Sequence, residues 1–137
     1  MKTKIILALL TAGVLCAGQS ALAHHPFAAE YDAEKPVTLT GTLSRMEWVN
    51  PHSWIYIDVK QPDGTVQKWT IESSGPGAMS RRGLKKTDFV AGMSLVVKGY
   101  AGRLKPAIAN GRTLVLADGR SFYIGTVGGP NDGADKQ

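Results

Sequence analysis

Val37, Leu39, Gly41 and Leu43 share one parity along the chain, with threonines between them. Such a period of two marks a strand with one face in a core. The parity shifts near Met46-Glu47-Trp48-Val49, as a bend or a bulge produces, and Asn50-Pro51 ends the run. From Ser53 to Val59, Trp54, Tyr56 and Asp58 alternate with Ile55, Ile57 and Val59. Pro62-Asp63-Gly64 is a turn signal, and Val66 to Glu72 then turns Trp69 and Ile71 to an inner face, so the two runs predict a hairpin. Gly75-Pro76-Gly77 breaks the pattern, and Ala78 to Arg82 predicts a short helix stopped at Gly83. Three more strands are predicted, Ser94 to Tyr100, Arg112 to Leu116 and Ser121 to Ile124, with the Gly-, Ala- and Asn-rich residues 101–111 as a loop.

This order is mainly β. A long bent strand, a hairpin, one short helix between the third and fourth strands and further strands predict a small OB-like Greek-key barrel. A flatter sandwich or another small barrel is the alternative. The domain is expected to span residues 36–124, after a polar arm at 24–35 anchored by Phe27 and Tyr31. A Gly- and Asp-rich tail, expected to be flexible, covers 125–137.

The first residues have a different character. A basic start, Met1-Lys2-Thr3-Lys4, leads into the apolar Ile5 to Leu10 and ends at Ala21-Leu22-Ala23, a small-x-small cleavage pattern. The apolar run is shorter than the roughly 20 residues a membrane span needs. Residues 1–23 are therefore expected to be a signal peptide cleaved near Ala23. The mature chain would begin at His24, in the periplasm or secreted, with no stable membrane span. Cys16, the only cysteine, follows Leu15 where a lipoprotein signal wants a small residue, so it falls in the discarded peptide. Neither a disulfide nor thiolate chemistry is then available. Loss of Lys2 and Lys4 lowers the net charge from +5 to +3, a mild basicity that argues against nucleic acid as a partner.

Several stretches carry a family likeness: His24-His25-Pro26-Phe27, Glu30-Tyr31-Asp32, Val37-Thr38-Leu39-Thr40-Gly41 and Glu47-Trp48-Val49-Asn50-Pro51-His52-Ser53-Trp54. Together with Arg82-Gly83 and Gly92-x-x-Leu95-x-Val97, they make the mature chain resemble the small exported bacterial domain-of-unknown-function family 6152. The resemblance implies export and a small β-rich domain. It implies no activity.

The candidate chemistry lies in the three histidines, His24, His25 and His52. Cleavage after Ala23 would give His24 a free α-amine. That amine, the His24 ring and a second imidazole make a T-shaped three-nitrogen set, similar to the histidine brace of some secreted copper proteins. Such a donor set favours Cu(II). His52 is the natural second imidazole because Pro51 stiffens its turn. His25 could instead chelate through the amine, its amide and its ring, although Pro26 denies the chelate a further amide. Glu30, Asp32 and Glu47 are candidates to supply a carboxylate or to orient a ring. Imidazole binds metal only when neutral, so affinity should fall in mild acid. The plainer reading is a solvated terminal pair and a histidine that bonds its own turn.

The expectation is a periplasmic metal-binding protein, with copper as the cofactor, acting in binding, delivery or sensing rather than catalysis. A metal-free OB-like module that takes a periplasmic protein or small ligand on a Trp48, Asn50 and Trp54 surface is the alternative. A brace-type copper oxidase ranks third. Arg81, Arg82, Lys85 and Lys86 read as the solvated end of the short helix.

Overall fold

A computed structural model describes residues 27–130. The chain opens with a helical turn, α1 (Phe27–Glu30), followed by a long strand, β1 (Tyr31–Glu47). The hairpin is β2 (His52–Lys60) and β3 (Val66–Ser74). A short helix, α2 (Pro76–Arg81), and a 3-10 turn at Lys86–Asp88 lead to β4 (Ser94–Gly102), β5 (Ile108–Leu116) and β6 (Ser121–Tyr123). The described residues thus hold two short α-helices and a 3-10 turn where one helix was expected. Among the described residues no helix is long and apolar enough to cross a membrane.

The strand order is β3-β2-β1-β4-β5-β6, with antiparallel neighbours. A parallel pairing of β3 with β5 closes the sheet, with Thr70, Ile71 and Glu72 opposite Ile108, Ala109 and Asn110. Ile55, Ile57, Ile71, Val97, Ala109 and Leu114 are fully buried inside it. They carry the inward parity of their strands, as alternation on a half-buried sheet requires.

The parity shift in β1 is a real bulge. Register moves between Leu43 and Arg45, so Ser44 is the extra residue and Met46, rather than Arg45, turns toward the core. A second shift, at Lys98/Gly99 on β4, sets Lys98 opposite Thr113 and Gly99 opposite Gly111, leaving Arg112 of β5 without a β4 partner. Ala109 therefore points inward before the bulge and Leu114 after it, while Asn110 shares the outer face with Glu72.

Strand limits depart from expectation where small residues were read as loop. β5 begins at Ile108, not Arg112, and β4 runs to Gly102. A Cβ at Gly99 would stand 2.0 Å from the Asn110 carbonyl oxygen, so this glycine permits a close crossing of two strands. Likewise β1 starts at Tyr31, before Pro36, and Tyr31 pairs with Gly102. Residues 31–35 of the expected arm are thus strand. In the expected tail, Thr126 and Gly129 are buried.

Helix α2 follows sequence logic. Pro76 sits in its first turn, where a missing N–H is harmless. At the far end Gly83 takes φ +90°. The amides of Gly83 and Leu84 donate to Ser80 and Met79 carbonyls, and the buried Leu84 and Met79 complete a Schellman stop.

Candidate functional site

Beside the closed sheet is a cleft of about 580 Å³, walled by Phe27 and Glu30 of α1, by Asn50, Pro51, His52 and Trp54, and by Glu72 and Ser74. Gly75, Gly77, Ala78 and Arg81 around α2, with Thr126 and Val127, complete it. The hairpin register accounts for its polar centre. Trp54 pairs with Glu72 and His52 with Ser74, which places all four on the outer face and Glu72 diagonally across from His52.

Glu72 is the hub. One carboxylate oxygen is bonded to His52 Nδ1, and the other accepts the Tyr31 hydroxyl. The Glu72 side chain is only 6% exposed and that of His52 35%. With Nδ1 engaged, Nε2 is the ring nitrogen left for another partner. Tyr31 is buried at the start of β1, its ring 5.6 Å from Phe27. Burial, followed by the hydrogen bond and negative charge of Glu72, holds its phenol far above the ordinary range. Tyr31 is therefore a fixed donor to Glu72.

The C-terminal segment packs beneath. Asn110 Nδ2 donates to Thr126 Oγ1 at 2.8 Å. Arg112 Nη1 donates to the Tyr123 hydroxyl at 2.8 Å and the Thr126 carbonyl at 2.9 Å, with its guanidinium 5.1 Å from the Phe27 ring. Ser74 donates its hydroxyl to the Gly125 carbonyl and accepts from Arg82 Nη1 at 3.0 Å. A Cβ on Gly75 would lie 2.5 Å from the Pro51 carbonyl oxygen, so the turn before His52, with its cis Asn50–Pro51 peptide, rests directly on the start of α2.

Of the residues singled out in the sequence, the cleft gathers His52, Asn50, Trp54 and Glu30. Trp48 instead packs against the core, 5.9 Å from Phe89. Asp32 is bonded to Arg103 at 3.3 Å and Lys35 at 3.7 Å. Glu47 pairs with Arg45. His24 and His25 lie outside the described residues. The carboxylate that orients His52 is Glu72, which sequence reasoning passed over along with Tyr31. Counting back from the Pro62-Asp63-Gly64 turn sets Trp54 opposite Glu72, so the signal was in the hairpin register.

Among the described residues no group of three His, Cys, Asp or Glu side chains could hold a metal ion. A metal at His52 would therefore need donors from outside residues 27–130.

No curated protein and no solved structure matches the chain. Residues 11–109 match the family described as "Family of unknown function (DUF6152)". That span takes in all three histidines, Tyr31 and Glu72, and the chain belongs to this family.

Proposed function

We propose that the protein is exported and, once cleaved near Ala23, binds Cu(II) with His52 and its own new terminus, in binding, delivery or sensing. The observation that carries the reading is the Glu72 carboxylate on His52 Nδ1. Metal-ligating histidines characteristically donate their second ring nitrogen to a carboxylate, which fixes the tautomer and leaves the other nitrogen for the metal. Chain reach adds support. Phe27 walls the same cleft as His52, and three residues of extended chain span about 11 Å at most. His24 is therefore tethered within reach of the cleft. Glu30, a candidate carboxylate from the sequence, lines the same cleft.

The domain is read as an OB-like barrel. Support comes from the pairing sequence β1-β2-β3-β5-β4-β1, its single parallel contact between β3 and β5, and a helix between β3 and β4. For the metal-free reading, a surface for a protein or small ligand, the support is narrower than the sequence suggests. It comes from Trp54 and Asn50, without Trp48.

Cu(II) titration of protein produced with His24 as its first residue tests the metal reading. His52→Ala and a version extended by one alanine should each lose affinity. Glu72→Gln should lose about ten- to a hundredfold, as removal of a carboxylate behind a metal-bound histidine does. Equal affinity in all four proteins would overturn the proposal.

A further inference from the structure

Two opposite charges face the cleft without an ion-pair partner among the described residues. Glu30 ends α1, Arg81 ends α2, and they do not pair with each other. Arg81, though exposed, is turned back along its own helix. One of its guanidinium nitrogens lies 3.6 Å from where a Cβ on Gly77 would be, and Gly77 is itself part of the wall. The other acidic group on the wall, Glu72, is already occupied by His52 and Tyr31. Phe27, Pro51, Trp54 and Val127 supply apolar wall to the same space. Phe27 packs between the Tyr31 ring at 5.6 Å and the Tyr100 ring, edge-on at 5.8 Å.

One cation and one anion without an ion-pair partner among the described residues, together with an aromatic wall, specify a ligand. A simple carboxylate would satisfy Arg81 and meet repulsion from Glu30, and a simple amine would do the reverse. A neutral apolar molecule would use neither charge. The volume, about 580 Å³, falls in the range of small-ligand sites, about 300–1,000 Å³. We infer that the cleft binds a small zwitterion with an apolar body, namely an apolar or aromatic α-amino acid. Its carboxylate lies at Arg81, its ammonium at Glu30 and its side chain against Phe27 and Trp54. This goes beyond the copper reading and does not need it.

The test is calorimetric titration with L-phenylalanine, in excess EDTA, of the protein beginning at His24. 3-Phenylpropionate and 2-phenylethylamine are the single-charge probes. Phenylalanine should bind saturably, and each probe about tenfold or more weaker, the usual loss when one charged hydrogen-bonding partner is removed. Arg81→Gln should weaken phenylalanine and leave phenylethylamine unchanged, and Glu30→Gln should weaken phenylalanine and leave phenylpropionate unchanged. Both side chains are exposed, so these variants should fold, which circular dichroism verifies. No saturation below about 10 mM, weaker than nearly all specific binding, or equal affinity for the three compounds would overturn the inference. EDTA removes metal from the measurement, so failure of copper binding leaves this result standing, and the reverse holds.

Discussion

Tyr31 ties the start of the described chain to the site through one hydroxyl. Its phenol ordinarily ionises near pH 10. In the folded protein burial, and then the Glu72 bond and charge, hold it well above that. The unfolded chain can release this proton above about pH 10 while the folded chain keeps it. The stability that Tyr31 contributes is therefore intact below that pH and declines as pH rises past it. Tyr31→Phe should flatten the alkaline decline. Near neutral pH it should cost about 1.5–3 kcal/mol, the worth of a hydrogen bond to a charged group. Urea midpoints at neutral pH and above pH 10, together with phenolate absorbance, check both parts. Tyr31 also marks where single residues are legible. His52 and Asn50 stood out by type and by their place in a turn, Trp54 by type beside that turn, and the cleft contains all three. Glu72 and Tyr31 did not stand out, because an acid inside a strand and an aromatic near the start of a domain look ordinary until register and burial bring them together.

At the scale of elements, the glycines separate connection from contact. Gly75 and Gly77 belong to one Gly-Pro-Gly signal and look equivalent in sequence. A Cβ on Gly75 would meet the Pro51 carbonyl at 2.5 Å and Asn50 Oδ1 at 3.0 Å, and a backbone atom cannot swing aside. Gly75→Ala should push the turn off α2, carry His52 with it, and cost about 1–3 kcal/mol, as overpacking does. Gly77 lies inside α2, and its Cβ would meet only Arg81 Nη1 at 3.6 Å, an ordinary contact. Gly77→Ala should be neutral or stabilise by up to about 1 kcal/mol, the helix preference of Ala over Gly. Thermal denaturation separates the pair, with a shift of roughly 4–8 °C for each kcal/mol in a domain near 100 residues. Alternation located the strands and the β1 bulge. It missed the first half of β5, because Asn110 and Gly111 carry loop signals, while in the fold a Cβ on Gly111 would meet Ile124 at 2.7 Å and Ile71 at 2.9 Å.

Closure of the whole sheet depends on a contact that alternation cannot show, since pairing between distant strands leaves no local period. Only three residue pairs join β3 to β5, and they alternate between two tasks. Ile71 points inward, fully buried beside Ala109. Glu72, next in the chain, points outward to hold His52 and Tyr31. Core and site are thus built from adjacent residues of one strand, yet they face opposite sides of it. Ile71→Ala should lower stability by about 2–5 kcal/mol, the loss of a large buried aliphatic side chain together with its cavity. The urea midpoint should fall with little change in slope, because the surface exposed on unfolding barely alters. Where that variant is still folded, it should bind Cu(II) about as tightly as the parent, since Glu72 keeps its own backbone pairing with Asn110 and Trp54. A fall in copper affinity matching the fall in stability would mean that the core sets the position of Glu72 through the backbone, and that the two faces of β3 cannot be altered separately.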